Sequence, residues 1–358
     1  MLQRNVADAA EQAALLPWLP IEYRQMSPGG YAGGFEELAL GNLRVIEEWQ
    51  SQAVQKVGVM APDCCTVSVV ASGGLQFSQH AVMPMHTYLL PASTEFDVQV
   101  PPNLRTLFVR LPQDTLLDRL YTLDERTEAS FQKNITAFAT SGSTAYLATL
   151  DALFDLARSP GGLPDPVQMG RTLLDCILLT LNDACKIVHG DDPGLHARRR
   201  VSHVVSRARE YIEASLMADE APFMAEICAH AGVSERTLQY SFREHLGMTP
   251  IRYLRIARLH RVRRELSRPQ APHVSVTQIA MHCGFLHLGA FARDYRAMFH
   301  ERPSETLSRA LRQRFPGRWP PPQLLRKSDS RNLTLPSPSG MFSKHACPEH
   351  FPRRPESP

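Results

Sequence analysis

Apolar and polar positions follow two different patterns along the 358 residues of this chain. Between about residues 31 and 111, short apolar runs such as GGFEELAL, CTVSVVASGGLQFSQH and RTLFVRLP are separated by Gly, Pro, Asn or Asp. Runs of this kind are typical of β-strands joined by turns. At least six of them follow one another, which predicts a cupin-like β-barrel or a β-sandwich.

From residue 143 onward, the apolar positions recur at the spacing of a helix, first over 143–159 and then over 165–188. The second helix carries a single apolar stripe, formed by Leu173, Leu174, Ile177, Leu178 and Leu181. Such a stripe is typical of a helix packed on a core, and a dimer seam is the alternative. Residues 189–200, HGDDPGLHARRR, have the composition of a hinge.

Two similar helical units follow one another in the C-terminal half. Equivalent residues lie 53 positions apart, namely Leu238 and Phe291, Phe242 and Tyr295, and Pro250 and Pro303. Each unit has a helix, a short turn that contains Gly232 or Gly284, and a second helix, which is the helix-turn-helix pattern. Residues 249–267 predict a connecting helix, and a rigid spacer would suit insertion into adjacent major grooves, which lie roughly 34 Å apart.

Charge is divided between the same two halves. Residues 1–197 have a net charge of −10, whereas residues 198–315 contain 20 arginines, no lysine and 11 acidic residues, a net charge of +9. We expect only the second half to bind a polyanion. Residues 316–358 are rich in Pro and Ser and have no apolar periodicity, which predicts a disordered tail.

Helical wheels show which side chains face outward on the second helix of each unit. The outward positions are Arg236, Tyr240 and Arg243 in the first unit, with Gln239 at the border, and Gly289, Arg293 and Arg296 in the second. Arginine can bind guanine and glutamine can bind adenine in the major groove, so the first helix is expected to read bases. The second is expected mainly to contact phosphates, and a glycine on its outward face would let DNA approach closely.

Residues 205–308 resemble the AraC/XylS family of bacterial transcription regulators. The resemblance is carried by AGVSERTLQYSFREHLGMTPIRYLRIARLHRVRREL and by IAMHCGFLHLGAFARDYRAMFHERPS. The segments SRAREYIEAS and GFLHLGAFARDY are most similar to the ethanolamine operon regulator type. Two differences from the family stand out, because the family often has Ser at the position of Gly289 and Gly at that of His300.

The resemblance implies two helix-turn-helix motifs, at 225–246 and 276–299, that bind adjacent major grooves. It places Arg236, Gln239 and Tyr240 against bases in the first motif. In the second motif it places Leu288, Gly289 and Ala292 against bases and Arg293 on a phosphate. The three apolar positions offer no hydrogen-bond donors, so thymine methyls or DNA shape would be what they read.

We therefore expect an α+β protein with an effector-sensing and dimerisation domain at 1–190 and a linker at 191–204. An AraC-type DNA-binding domain at 205–308 would follow, and then the tail at 316–358. Residues 22–111 resemble the family's sensing module more loosely. The small-molecule effector cannot be identified from the residues, and no cofactor is predicted.

The expected function is that of an effector-responsive transcription activator that binds double-stranded DNA as a homodimer and acts on RNA polymerase. No apolar run reaches 18 residues and the N-terminus lacks the layout of a signal peptide, so we expect a cytoplasmic protein without a membrane partner.

The alternative is a cupin-like, metal-dependent enzyme with a regulatory helical appendage, in which His80, His86 and Cys64 would bind a metal. The chain lacks GxSxG, HExxH and P-loop motifs, which argues against enzymatic activity. His282, His287 and His300 lack the spacing of zinc ligands.

Overall fold

The computed structural model describes residues 1–71, 73–77, 81–82, 84–123, 135–138, 140–185, 195–218, 220, 222–270 and 273–315. The tail at 316–358 and the first part of the predicted hinge, 189–194, lie outside these residues. Within these residues, the N-terminal half contains two antiparallel sheets together with helices, and the regular elements of the C-terminal half are all helices. The predicted fold class is therefore confirmed.

The larger sheet has seven strands in the order β1-β3-β4-β11-β6-β9-β12. Their bounds are β1 Leu2–Val6, β3 Gly33–Leu40, β4 Leu43–Gln50, β6 Cys64–Val70, β9 Thr87–Leu90, β11 Leu104–Pro112 and β12 Thr136–Phe138. The smaller sheet has five strands in the order β2-β5-β10-β7-β8. These are β2 Ile21–Gln25, β5 Val54–Val59, β7 Leu75–Phe77, β8 Ala81–Val82 and β10 Glu95–Val100.

The two sheets share one apolar core. Phe35, Ile46 and Phe108 of the larger sheet pack with Phe96 and Val98 of the smaller one. Alternation along the strands explains this arrangement, since successive side chains of a strand point to opposite faces. Among the described strands the two sheets do not pair with each other, so this half is a sandwich and not a closed barrel.

Among the described residues, four helices belong to the N-terminal half: α1 Ala9–Ala13, α2 Gln113–Leu123, α3 Ser141–Arg158 and α4 Pro166–Cys185. The apolar stripe of α4 is buried against α3 and the larger sheet, where it meets Leu38, Val45 and Val67. Ile177 and Leu181 are 0% exposed. The stripe is therefore core, and the alternative of a dimer seam through these leucines is wrong, because their surface is already covered by the chain itself.

The C-terminal half consists of seven helices among the described residues. They are α5 Leu195–Met217, α6 Met224–Ala231, α7 Glu235–Leu246, α8 Pro250–Ser267, α9 Val276–His282, α10 Leu288–Phe299 and α11 Pro303–Arg314. The second part of the predicted linker over 191–204 is helical from Leu195. Arginine is a good helix former, and Val205, Ala208 and Ile212 continue the helix into the core.

A short segment of the sandwich, residues 24–30 at the end of β2, joins the two halves. The guanidinium of Arg24 donates to the carboxylate of Glu213 on α5 at 3.0 Å and to the hydroxyl of Tyr253 on α8 at 3.1 Å. The side chain of Met26 lies in the core of the C-terminal half. Two ion pairs add to the contact, Asp8 with Arg263 and Asp97 with Arg209.

The same segment also caps α10. The amide of Gln25 donates to the carbonyl of Met298 at 2.8 Å, and the backbone N–H of Gly29 donates to that of Ala297 at 2.9 Å. The last carbonyls of a helix have no partner within the helix. The sandwich therefore satisfies groups that α10 leaves open and fixes the end of that helix.

His260 on α8 completes this contact, because its Nε2 lies 2.7 Å from the carbonyl oxygen of Gln25. Loss of solvation lowers the pKa of His260 to about 3, and the positive charges of Arg24, Arg263 and Arg264 act in the same direction. The imidazole is therefore neutral in the folded protein and donates its proton to the carbonyl.

We predict that this residue makes the fold sensitive to acid. The unfolded chain takes up a proton near the ordinary pKa of 6.5 while the folded chain does not, so stability falls as the pH drops through that value. From pH 6.5 to 5.5 the free energy of unfolding should fall by about 1 kcal/mol on account of His260. Denaturant titrations of the full chain at both pH values measure it.

His260→Gln is the variant to compare, because an amide can still donate to Gln25 but does not titrate. His245, whose pKa burial lowers to about 4, contributes equally to both proteins. Between the two pH values, the free energy of unfolding of the variant should fall by about 1 kcal/mol less than that of the wild type. Equal losses would contradict the assignment.

Candidate nucleic-acid interface

The first helix-turn-helix unit is formed by α6 and α7. Helix α6 ends at Gly232, whose φ of 70° is left-handed, and the N–H of Val233 donates back to the carbonyl of Cys228 at 3.1 Å. Glycine adopts this conformation without the cost that a Cβ brings. Ser234 then caps α7 by accepting from the N–H of Thr237 at 3.3 Å, as its position in the sequence predicts.

The second unit, α9 and α10, repeats this turn with a different helix start. Gly284 has a φ of 83°, and the N–H of Phe285 donates to the carbonyl of Ala280 at 2.9 Å. The residue before α10 is His287, whose side chain makes no capping hydrogen bond. Gly232 precedes its helix by three residues and Gly284 by four. The second turn is therefore one residue longer.

Helix α8 holds the two units apart. It has 18 residues, which corresponds to about 27 Å. Thr249 caps its start by accepting from the N–H of Arg252 at 3.3 Å, and Pro250 occupies the first turn, where proline is well tolerated. Its buried residues join a single core that includes Leu238 and Phe242 of α7 and Phe291 and Tyr295 of α10. This packing gives the two units a fixed separation.

On α7, the side chains predicted to face outward are accessible. Arg236 and Arg243 are exposed, and Tyr240 is 60% exposed. Gln239 is half-buried, and its amide donates to the carboxylate of Glu235 at 3.1 Å. Gln239 would have to leave that carboxylate to bind a base with both groups of its amide.

On α10, the outward face consists of Gly289, Ala292, Arg293 and Arg296, all of which are exposed. A Cβ atom added at Gly289 would meet no other atom within 4 Å. Leu288, in contrast, is half-buried and packs against the core of the C-terminal half. Of the three apolar positions that the family resemblance places against bases, Leu288 is thus the least accessible.

The outward arginines carry charge that no acidic side chain of the described residues pairs with. In the described part of the chain, Arg236, Arg243, Arg293 and Arg296 form no ion pair, whereas Arg255 of α8 pairs with Asp294 of α10. Unpaired arginines can bind phosphate oxygens without first breaking a contact. The accessible faces of α7 and α10 are therefore suited to a polyanion.

Leu286 is an accessible residue that sequence reasoning missed. It lies in the turn before α10 and is 81% exposed. A helical wheel drawn for 288–299 does not include it, and only the comparison of the two turn lengths points to it. The contact segment at 24–30 was also missed, because no local pattern marks contacts between residues 189 or more positions apart.

The candidate metal ligands lie partly outside the described residues. His80 lies outside the described residues, and burial raises the pKa of the Cys64 thiol, which opposes metal binding as a thiolate. In the ranges that the structure describes, no three His, Cys, Asp or Glu residues are grouped so that they could hold a metal ion. His300 has a different role, since it ends α10 in the left-handed conformation with a φ of 57°.

The sandwich contains a small pocket of about 60 Å³ between its sheets. Its charged side chains are Glu48 and Lys56, which pair at 2.8 Å, and its polar groups include Tyr23, whose hydroxyl donates to Glu48 at 2.9 Å. Burial raises the pKa of Tyr23 above its ordinary value, so the phenol keeps its proton. The other walls are mainly apolar and include Phe77 and Phe96. Such a pocket suits a small ligand with an apolar body and one polar group.

None of the helices in the described ranges has both the length and the apolar character needed to cross a membrane.

Comparison with known proteins agrees with the geometry of the helical half. Residues 227–309 match the family described as a helix-turn-helix domain. A probable thc operon regulatory protein of Rhodococcus erythropolis is 40% identical over 104 residues, 29% of this chain and 31% of that protein. The XylDLEGF operon transcriptional activator 2 of Pseudomonas putida is 41% identical over 105 residues, 29% of this chain and 63% of that protein.

Through this region the chain belongs to the AraC/XylS family. The solved structure of a probable AraC family transcriptional regulator from Rhodopseudomonas palustris is 40% identical, covers 30% of this chain and 96% of that one, and has a TM-score of 0.28. The matches span less than two thirds of the two curated relatives.

The open space around Gly289 generates a prediction. Gly289→Ala should raise the free energy of unfolding by about 0.5 kcal/mol through helix propensity. The free energy of unfolding of Gly289→Leu should lie within about 1 kcal/mol of the wild-type value, since no neighbour lies close enough to be overpacked. This variant should nevertheless bind DNA poorly. Thermal unfolding and DNA affinity are measured on the same two variants. Early unfolding of the Leu variant would show that the site is not open, and normal DNA binding would show that this face does not meet DNA.

Proposed function

We propose that this protein is a sequence-specific transcription regulator that binds double-stranded DNA in two adjacent major grooves. The observation that carries the proposal is the pair of helix-turn-helix units on one rigid helix, each with unpaired arginines on its exposed face. Relatives with similar C-terminal regions are named as operon regulators and activators, which supports the activator role.

The residues divide by the chemistry of their side chains. Base reading is assigned to Arg236, Gln239 and Tyr240 of the first unit, because arginine and glutamine match the hydrogen-bonding edges of guanine and adenine. Contacts to phosphate are assigned to Arg243, Arg293 and Arg296, which position the protein without reading sequence. The apolar residues Leu288, Gly289 and Ala292 provide the close surface of the second unit.

The sandwich is proposed to bind the effector in the pocket beside Tyr23, Glu48 and Lys56. Residues 1–190 would form the sensing and dimerisation domain and residues 205–308 the DNA-binding domain. A homodimer, RNA polymerase as partner and a cytoplasmic location complete the proposal. A role like that of the ethanolamine operon regulators rests on the similarity of two sequence segments and stays a prediction.

Strand β2 offers a route between the two halves. Tyr23 points into the pocket, whereas the next residue, Arg24, points to α5 and α8. A ligand that displaced Tyr23 would move the backbone that also caps α10. The first half of the predicted hinge, residues 189–194, lies outside the described residues, whereas strand β2 contacts both the pocket and the helical half.

Arg236 and Arg293 test base reading against phosphate contact. Arg236→Ala should weaken the free energy of binding to the preferred site by about 1–3 kcal/mol and relax the base preference at one position. Arg293→Ala should weaken binding to every duplex by a similar factor and reduce the dependence of affinity on salt. Titrations of labelled duplexes at several salt concentrations measure both effects. If the two variants lose discrimination equally, the roles are wrongly assigned, and if the wild type binds no duplex at low salt, the function is wrong.

Arg24 tests the route from the sandwich to DNA. Arg24→Leu leaves the carboxylate of Glu213 without its cationic partner, with only the hydroxyl of Tyr253 still donating to it, and should lower the free energy of unfolding by about 1–3 kcal/mol. It should also change the affinity for DNA, since the segment that caps α10 loses its contact with α5 and α8. Glu22→Gln is the matched control, because Glu22 pairs with the same guanidinium but is 62% exposed, and such pairs contribute little. A loss of stability with unchanged DNA affinity would contradict the route.

A further inference from the structure

We infer that the second helix-turn-helix unit reads the methyl groups of thymine, and that Leu286 is the residue that determines this preference. The inference rests on the proposed function, because it assigns a specificity to one of the two DNA-binding units. The site is the exposed apolar row formed by Leu286, Gly289 and Ala292, from the turn before α10 to its second turn.

The extra residue of the second turn accounts for the exposure of Leu286. Gly232 lies six positions before Leu238, whereas Gly284 lies seven positions before the equivalent Phe291. Both ends of the longer turn are anchored, since Phe285 packs on Phe291 with ring centres 4.9 Å apart and Leu288 packs on the core. The two residues between these anchors, Leu286 and His287, are both exposed, and Leu286 is 81% exposed.

Leu286 lies directly before a recognition helix. The N-terminal residues of such a helix contact base edges in the major groove. Gly289 and Ala292 lie three residues apart, which keeps them on one side of α10, and Leu286 lies in the turn, two positions before that helix begins. Arg293 and Arg296, exposed and unpaired within the described residues, flank the same face, so the charge around this apolar row matches a polyanion.

The chemistry of the row selects the base. Leu286, Gly289 and Ala292 have no side-chain donor or acceptor, so they cannot distinguish guanine from adenine by hydrogen bonds. The C5 methyl of thymine is the apolar group that bases present in the major groove. Glycine at 289 brings the backbone close, and Leu286 can then cover the methyl. Burial of one methyl group corresponds to about a fourfold gain in affinity.

The test removes the methyl without changing the base pair. A preferred duplex is first selected with the full-length protein from random sequences, and each thymine is then replaced singly by deoxyuridine. For the wild type, deoxyuridine at one or two of these positions should lower the affinity for the duplex about fourfold. For Leu286→Ala, deoxyuridine at the same positions should change the affinity less than twofold.

Leu179→Ala is the matched control. Leu179 is a leucine of α4 in the sandwich half and is 67% exposed, so its removal should leave the response to deoxyuridine as in the wild type. The melting temperature of each variant confirms that it is folded, which is expected because neither leucine is buried.

The outcomes separate this inference from the function on which it rests. If the wild type selects a duplex but wild type and Leu286→Ala respond equally to deoxyuridine at every thymine, Leu286 does not read methyl groups and the inference is overturned. The same holds if Leu286→Ala binds every duplex as well as the wild type, as would be expected of a leucine that contacts a protein partner. If the wild type selects no duplex at all, the proposed function fails and the inference with it.

Discussion

The contact between strand β2 and the helical half is the constraint on which the arrangement of this protein depends. Side chains of a strand alternate between its faces, so Tyr23 lies in the sandwich pocket while Arg24 binds Glu213 and Tyr253. Beyond the strand, Gln25 and Gly29 supply the hydrogen bonds that the end of α10 lacks. The second recognition helix is therefore held partly by the domain that would sense the ligand. Its position relative to the sandwich is set by hydrogen bonds whose loss would leave buried polar groups unsatisfied, which is costly.

The sandwich pocket and the exposed faces of α7 and α10 differ in whether their charged side chains are paired. Inside the sandwich, Glu48 and Lys56 are 1% and 7% exposed and satisfy each other, which is the condition under which buried charges are tolerated. On α7 and α10 the exposed arginines have no such partner among the described residues. Charge is thus internal and paired around the pocket, but external and unpaired on the faces proposed to meet DNA. A polyanion can be bound at these faces without breaking a contact of the folded protein.

The two helix-turn-helix units share a backbone plan but not a surface. Both have a left-handed glycine after the first helix, and both pack aromatic rings into one core. The first starts its recognition helix with the cap of Ser234 and exposes Arg236 and Tyr240. The second has a longer turn without a side-chain cap and exposes Leu286 and Gly289. One fold thus presents hydrogen-bonding groups in one unit and apolar groups in the other, which gives the two halves of a DNA site different requirements.

Local chemistry was sufficient to predict the strands between residues 31 and 111, the helices at 143–159 and 165–188, and the helices and turns of both helix-turn-helix units. Alternation, caps such as Ser234 and the glycines at 232 and 284 act within a few residues and leave a readable pattern. The charge division follows from the counts of charged residues, and the outward positions on α7 and α10 follow from helical periodicity.

The tertiary structure decided which surfaces are buried and which elements cover them. The stripe on α4 has the same spacing whether it meets a sheet or a second chain, and only the fold shows that the larger sheet covers it. Leu286 is exposed because Phe285 and Leu288 on either side of it are anchored in a distant core, and Arg24 binds Glu213 across 189 positions. Such contacts depend on how the whole chain packs, and no pattern within a few residues records them.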